Sequence, residues 1–290
     1  MGKALVKPSK DIPPILEREF RDLSKYIVEI TGVKLVTGKE NLLESRLSRR
    51  LGQLGLNSWR EYISYLESGI DENEKQVLIN LITTNKTHFF RELPHFDYLK
   101  KEYIPERFKD FHDKEKTVFI WSAASSRGHE AYSMAMLLDD EICKRSLQHN
   151  LNYKILGTDI NTNVINHSQR GVYPGIEVEG EVPTEMVQRY FLKGEGSNAG
   201  KYLISKNLAS NIKFRYHNLV DPHSMLNVEF DVILVRNVLI YFDRKTIDIV
   251  IKKVCAHLKS GGLLILGHSE HLESVPKELT YMGSSIYKKT

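Results

Sequence analysis

The sequence predicts an α/β domain carrying a small inserted β-subdomain and preceded by an all-helical domain. Three observations predict it. Residues from about 12 to 92 place apolar residues at helical spacing with no strand pattern. Short apolar runs then alternate with amphipathic helices: VFIW at 118–121, YKILGT at 153–158, FDVILV at 230–235 and LLIL at 263–266. Residues 171–211 interrupt that alternation with short β patterns and a glycine-rich KGEGSNAG. The predicted boundaries are 1–92 for the helical domain with its linker, 93–290 for the α/β domain, and about 172–211 for the insert.

In the helical domain, Leu16, Phe20, Leu23, Ile27 and Ile30 trace one face of a first helix that Gly32 stops. A second helix over 39–54 buries Leu43, Leu47, Leu51 and Leu54. Lys39, Arg46, Arg49 and Arg50 fall within a sector of roughly 100° beside that stripe, and Glu40 and Glu44 on its other flank. Such a face is either a solvated surface or a dock for an acidic partner or nucleic acid. Two further helices, 58–66 and 72–82, have Asn57 and Asp71 as caps. TTNKTHFFRE, 83–92, breaks the rhythm and reads either as a plain linker or as a hinge that is also a site. Thr84, Asn85 and Thr87 offer hydroxyl and amide groups there, and Arg91 a planar fork suited to a carboxylate. A helix over 95–108 leads into the α/β domain.

The strand at 118–121 runs through small and polar residues and Gly128 into a helix with Ala131, Met134, Ala135 and Leu138 on one face. A strand, a small-residue loop and a helix N-terminus can form a ligand crevice or a purely structural turn. The second strand ends on Asp159, which either accepts hydrogen bonds from ribose hydroxyls or caps the next helix. In the insert, two short β segments and one helix are expected. A strand over 212–216 is followed by Asn218, and the strand at 230–235 delivers Arg236 and Asn237 at its end, with Tyr241 nearby. Ligands bind beyond the carboxyl ends of strands in open parallel sheets, so these residues are site candidates. Asp243 starts a helix through Leu258 that Gly261 and Gly262 end, and SSIYKK supplies a final edge strand.

Composition narrows the function classes. With 290 residues and 41% hydrophobic content the chain is an ordinary globular protein. It lacks a run of about 18 apolar residues, and MGKALVKPSK has no apolar signal core, so a cytoplasmic location is the expectation. Cys143 and Cys255 are expected as buried free thiols, and eleven scattered histidines give a metal centre no support. A formal charge of +4 does not by itself indicate nucleic acid, and no G-x-G-x-x-G fingerprint of a nicotinamide enzyme is present.

In order and wording, TTNKTHFFRE, SAASSRGHEAYSMAM, GTDI, HNL and RNVLIYFD resemble one family from about residue 15 to the C-terminus: the chemotaxis receptor glutamate O-methyltransferases, the CheR family. The resemblance implies a Rossmann-like class I methyltransferase domain using S-adenosylmethionine. Its binding site would be lined by Asn85, Thr87, Arg91, Glu130, Asp159, Asn218, Leu219, Arg236 and Asn237. Asp159 would hold the ribose, Asn218 and Leu219 would sit near the adenine, and Arg91 and Tyr241 would be the catalytic residues at the methyl-transfer end. Lys39, Arg46, Arg49 and Arg50 would dock the cytoplasmic signalling domain of methyl-accepting chemotaxis receptors, recruiting the enzyme to membrane arrays without membrane insertion or nucleic acid. The insert would match the part that in some members grips a receptor's C-terminal peptide. Where the family commonly has a second acidic residue, a proline and a small residue, this chain has His129, Ala131 and Arg127.

The implied reaction is attack of a receptor glutamate on the sulfonium methyl. A glutamate of pKa about 4.3 is already ionised at neutral pH, so the enzyme's task is placement. The competing readings are a non-catalytic S-adenosylmethionine-binding sensor or adaptor, and a methyltransferase acting on RNA or a small molecule.

Overall fold

The computed structural model describes residues 12–36, 38–108, 116–146, 151–224 and 226–290. The N-terminal segment MGKALVKPSK lies outside them. The described residues form two compact units, one reaching Thr84 and including Tyr241–Thr246, the other comprising Asn85–Ile240 and Ile247–Thr290.

The first unit holds helices α1 (Glu17–Thr31), α2 (Glu40–Leu54), α3 (Trp59–Ser68) and α4 (Glu72–Ile82), with α1 on α3 and α2 on α4. Phe20, Leu23, Ile27 and Ile30 are buried as the periodicity requires. Leu16 is not: it is the residue before the helix, 67% exposed, and Ile15 is buried instead. Gly32 adopts φ 73° and its N–H closes on the Val28 carbonyl, ending α1 in a conformation that side chains disfavour. Leu43, Leu47 and Leu51 are buried in α2, whereas Leu54 is half-buried. Ser58, not Asn57, caps α3: its hydroxyl accepts from the Glu61 N–H while the Asn57 N–H donates to the Glu61 carboxylate at 2.7 Å. Asp71 caps α4 through the Asn73 N–H at 2.9 Å.

The second unit begins with α5 (Leu93–Tyr98) and α6 (Ile104–Phe108), joined by a π-helical turn at Leu99–Tyr103. The single helix expected over 95–108 is therefore interrupted. Pro105 cannot donate to the carbonyl one turn earlier and its ring crowds it, and widening that turn relieves the clash. The remaining elements are β1 (Lys116–Ala123), α7 (His129–Lys144), β2 (Leu151–Asp159), α8 (Thr162–Arg170), β3 (Val172–Pro174), α9 (Gly175–Val178), α10 (Thr184–Tyr190), β4 (Phe191–Lys193), β5 (Lys201–Ile204), α11 (Lys206–Ala209), β6 (Ile212–Tyr216), β7 (Phe230–Val235), α12 (Arg244–Ala256), β8 (Leu258–Leu266), β9 (Leu279–Gly283) and β10 (Ile286–Lys289). Residues 244–246 at the start of α12 belong to the first unit.

The main sheet runs β6-β2-β1-β7-β8-β10-β9, parallel from β6 to β8 and antiparallel at β10 and β9. The chain winds outward from β1 in one direction through β2 and β6, and in the other from β7 to β8. Its topological switch therefore lies between β1 and β7, where such sheets bind ligands. β7 is buried along its whole length, as its unbroken FDVILV predicts. Three details differ from expectation. α12 ends at Ala256, and Gly261 and Gly262 lie inside β8, at the register shift against β7. The last strand, β10, is interior, and β9 is the edge. The insert has three antiparallel strands, β3-β5-β4, with α9 and α10: the KYLIS run pairs with β3 on one side and on the other with Phe191–Lys193, a strand that sequence alone left unassigned, while PGIEV is α9 after Pro174. Cys255 is buried and Cys143 half-buried, both free thiols.

Candidate active site

β1, β2 and β7 end level: Ala123 is in register with Thr158 on one side and Val235 on the other. The residues that follow, Ala124 onward, Asp159 and Arg236, are thereby brought to one edge of the sheet. The loop after β1 is tightly wound, with Ala124 at φ 56°, Ser126 at φ 49° and Gly128 at φ 86°. A Cβ on Gly128 would lie 2.9 Å from Ser168 and 3.1 Å from Phe214, so both its backbone angle and its space require glycine. Asp159 is buried, and its carboxylate accepts the N–H groups of Ser126 and Asn161, each at 2.9 Å. Asn161, not Asp159, caps α8. Burial raises the Asp159 pKa against the backbone bonds from Asn161, Ser126 and Ile160. A carboxylate has about four acceptor positions, so three backbone donors leave room for one more.

Arg236 is the centre of a network of charged and polar groups at this edge. Its side chain is 1% exposed, and its fork reaches Glu130 at 2.8 Å, Glu92 at 3.0 Å and the Arg91 carbonyl. Glu130, in the first turn of α7, also accepts from the Ser122 hydroxyl at 2.6 Å. Asn237, at φ 59°, donates its side-chain N–H to Glu92 at 3.0 Å and its backbone N–H to Glu270 at 2.7 Å. Burial opposes ionisation of Glu92, but the Asn237 and Arg236 hydrogen bonds outweigh it and hold its pKa below the usual carboxylate value. Glu270 is buried and accepts three backbone N–H groups, from Asn237, Ile240 and Gly267. Burial raises its pKa against these bonds. Glu92, His95 and His268 bring ligand-type atoms within 4.8 Å of one another, and the Arg236 guanidinium already serves as the cation at that carboxylate.

TTNKTHFFRE is divided between the two units after Thr84. Asn85 and Thr87 are half-buried, and the Asn85 carbonyl accepts from the Ser126 hydroxyl at 3.0 Å. Phe89 and Phe90 are buried, Phe90 and Glu92 adopt φ 52° and 62°, and the Arg91 guanidinium donates to the Lys86 carbonyl at 3.1 Å. Strained non-glycine residues thus cluster around Arg236, as they do at sites where geometry is over-determined. The His217 N–H bonds the Asp159 carbonyl at 3.0 Å, which sets Asn218 and the buried Leu219 beside the end of β2. Tyr241 belongs to the first unit, where it is half-buried and its carbonyl accepts from the Lys34 N–H at 2.8 Å.

The basic face of α2 is divided. Arg50 is bound to the buried Glu74, and Arg46 donates to the carbonyls of Ile82 and Thr83. Arg49 and Lys39 are exposed and have no ion-pair partner among the described residues. In the other unit, Arg127 and His129 both meet Glu177 of α9, at 2.9 and 3.0 Å.

Residues 18–83 match the CheR methyltransferase all-alpha domain, and residues 85–288 the CheR methyltransferase SAM binding domain. The chain belongs to the CheR methyltransferase family. It is 34% identical over 289 residues to the chemotaxis protein methyltransferase of Klebsiella aerogenes, spanning 100% of this chain and 95% of that one. It is 34% identical to that of Salmonella typhimurium (93% and 90% covered) and 35% identical to chemotaxis protein methyltransferase 2 of Pseudomonas aeruginosa (93% and 92%).

Membership makes S-adenosylmethionine the cofactor and methyl transfer in chemotaxis the activity. The donor set suits it. Glu130 and Glu92 place two carboxylates against one buried guanidinium, and Asp159 ends β2 at the same edge of the sheet, an excess of negative charge suited to a sulfonium and an ammonium. Within the loop after β1, the Ser125 hydroxyl is buried without a hydrogen-bond partner among the described residues. Sequence reasoning missed Glu92, Ser122, Glu177 and Glu270. Glu270 follows a buried parallel strand within GHSE, so the strand-end rule that found Arg236 also applied to it. No helix among the described residues is long and apolar enough to cross a membrane.

Proposed function

We propose that this chain forms γ-glutamyl methyl esters on glutamates in the cytoplasmic signalling domain of methyl-accepting chemotaxis receptors. The observation that carries the reading is the Arg236 fork bridging Glu130 and Glu92 at the sheet's switch point. It fixes a carboxylate-rich wall against which a cationic methyl donor is favoured. S-adenosylmethionine, when bound, supplies a sulfonium methyl that a carboxylate oxygen takes as the sulfur–carbon bond breaks, leaving a neutral thioether. The chain's own residues bind and orient. Asp159 holds the ribose with its remaining acceptor position, Asn218 and Leu219 border the adenine, and Asn85, Thr87 and Asn237 complete the lining. Arg91 is oriented by the Lys86 carbonyl to position a carboxylate, and Tyr241 fixes the reacting group through its hydroxyl. No general base is needed for an ionised glutamate. Holding oxygen, methyl and sulfur in line is worth several kcal/mol, up to about 7–11 in ideal cases.

The receptor docks on α2 through its exposed Lys39 and Arg49, which recruits the enzyme to membrane arrays. Arg46 and Arg50 support that helix from within. In the insert, Val172, Leu203 and Leu192 lie in register across β3, β5 and β4 with exposed side chains, an apolar row suited to a receptor's C-terminal peptide. Transfer of radiolabelled methyl to receptor-containing membranes tests the reading. Base-labile label that disappears when receptor glutamates become alanine supports it, and cofactor binding without transfer overturns it in favour of a sensor.

A further inference from the structure

We propose that Glu177, in the inserted subdomain, is a positioning residue for S-adenosylmethionine binding: by joining Arg127 to His129 it fixes the loop after β1 and the first turn of α7. The proposal rests on the reading of that loop as part of the cofactor's seat. Glu177 receives the two residues on different oxygens, Arg127 Nη1 on Oε1 at 2.9 Å and His129 Nε2 on Oε2 at 3.0 Å. One carboxylate therefore spans Gly128, the residue at which the loop turns into the helix. Gly128 itself is wedged against Ser168 and Phe214. Packing holds the turning residue, and the insert holds its two neighbours.

The histidine end is tightly determined. His129 is fully buried, its ring 4.5 Å from Phe89 and 4.7 Å from Tyr173, centre to centre. Burial and the neighbouring Arg127 depress its pKa to about 4, so at neutral pH the ring carries one N–H, which the carboxylate draws to Nε2. Tyr173 of β3 adds a second tether, its hydroxyl donating to the Arg127 carbonyl at 2.6 Å. Glu130 is the next residue after His129. Successive helical side chains diverge by about 100°, so one faces Glu177 while the other faces Arg236. Moving His129 moves Glu130 with it. A segment about fifty residues further along the chain thereby sets the geometry of the loop, and does so through Arg127 and His129.

Titration calorimetry of the full chain with S-adenosylmethionine tests this. Glu177→Ala should weaken binding about tenfold, raising the cofactor KM while kcat at saturating cofactor stays within about twofold. Glu177→Gln, which keeps shape and one acceptor, should fall between, and it carries the test if the alanine variant does not fold. Amide exchange at residues 126–130 should quicken in both. Adding Arg127→Ala to Glu177→Ala should weaken binding little further, since the two share one interaction. Glu130→Gln separates the two ideas. If it weakens cofactor binding and the Glu177 variants do not, losing only thermal stability, Glu177 merely secures the insert and the inference is overturned. If neither Glu130 nor Glu177 matters, the loop is not the cofactor's seat and the site reading itself fails.

Discussion

Arg50 and Arg236 are both arginines drawn inward onto glutamates, one in the helical unit and one in the α/β unit, and they differ in how completely their partners are used. Arg50 spends its guanidinium on a single carboxylate, Glu74, which also accepts from the Tyr62 hydroxyl at 2.9 Å. All three residues lie in regular helices. Arg236 divides its fork between Glu130 and Glu92, which come from separate elements and keep part of their surface in solvent, and it leaves Nε without a partner among the described residues. Phe90, Glu92 and Asn237 around it hold positive φ. The closed network fixes three helices, α2, α3 and α4. The open one keeps its carboxylates partly exposed and holds strained backbone around them, as expected of a site rather than a brace.

The widest break between the two should come from Glu74→Ala. It strands Arg50 and a buried Tyr62 hydroxyl, so a loss of about 3–5 kcal/mol in unfolding free energy is expected. Methyl transfer per folded molecule at saturating receptor should not change. Activity lost without stability would make Glu74 part of the machinery and erase the contrast. Arg236→Lys should do the converse: it keeps the charge but not the fork that reaches two carboxylates. A drop of roughly 10²-fold in kcat/KM, about 2.7 kcal/mol, is expected with a smaller stability loss than in Glu74→Ala. Arg50→Lys run alongside should retain its kcat and its KM for S-adenosylmethionine. Equal activity losses in both lysine variants would refute the distinction.

Acid should separate the units further. Burial, and after it the positive neighbours, depress three histidines of the α/β unit to about 4: His95 beside Arg236 and His268, His129 beside Arg127 and His167, His217 beside Lys253 and His257. Glu92, Glu177 and Asp221 act on them in the opposite direction. An unfolded histidine takes a proton near pH 6.5 and the folded one does not, so this stability is present above 6.5 and lost as pH falls toward 4. Asp159 and Glu270, raised by burial, act in the opposite sense, protonating first in the folded state. His167 and His257 are lowered in the same way, so the histidine protons outnumber the two carboxyl ones and stability falls with pH across that window. Urea unfolding followed at Trp121 of the α/β unit, at pH 7 and pH 5, reads it. A midpoint that holds or rises at pH 5 would contradict it.

The contrast between the networks also explains what could be read in advance. Arg236 was legible because FDVILV is an unbroken apolar run and its end must face a ligand edge. Asp159 was legible for the same reason, although its carboxylate turned out to be engaged with the Ser126 N–H. Glu92 and Glu270 were not, since a glutamate in a linker or after the last parallel strand looks solvated until topology brings it under Asn237. On α2 the heptad-like arithmetic placed Arg46 and Arg50 beside the apolar stripe correctly, but angle alone cannot tell a residue that leans outward from one that reaches a neighbouring helix. That depends on Glu74 and the end of α4, 24 and more residues away. The third strand of the insert was missed because segments of three or four residues carry no period.

The smallest effect should come from the part of α2 that its internal network leaves free. Lys39 and Arg49 are exposed, so replacing either by alanine costs no buried partner and should leave unfolding within about 0.5 kcal/mol of wild type. If receptor docks there, each charge should contribute about 0.5–1 kcal/mol at low salt, seen as a two- to fivefold rise in the KM for receptor at constant kcat. Raising ionic strength toward about 1 M, where the screening length is near 3 Å, should bring wild type and variants together. Arg46 and Arg50 substitutions cannot answer the question, because each also releases an intramolecular bond, and a raised KM would mix docking with a loosened helix. A salt-independent rise in the Arg49→Ala variant would point to a specific hydrogen bond rather than a charged face. No rise in either variant would place receptor recognition elsewhere and leave α2 with its internal network as its whole role.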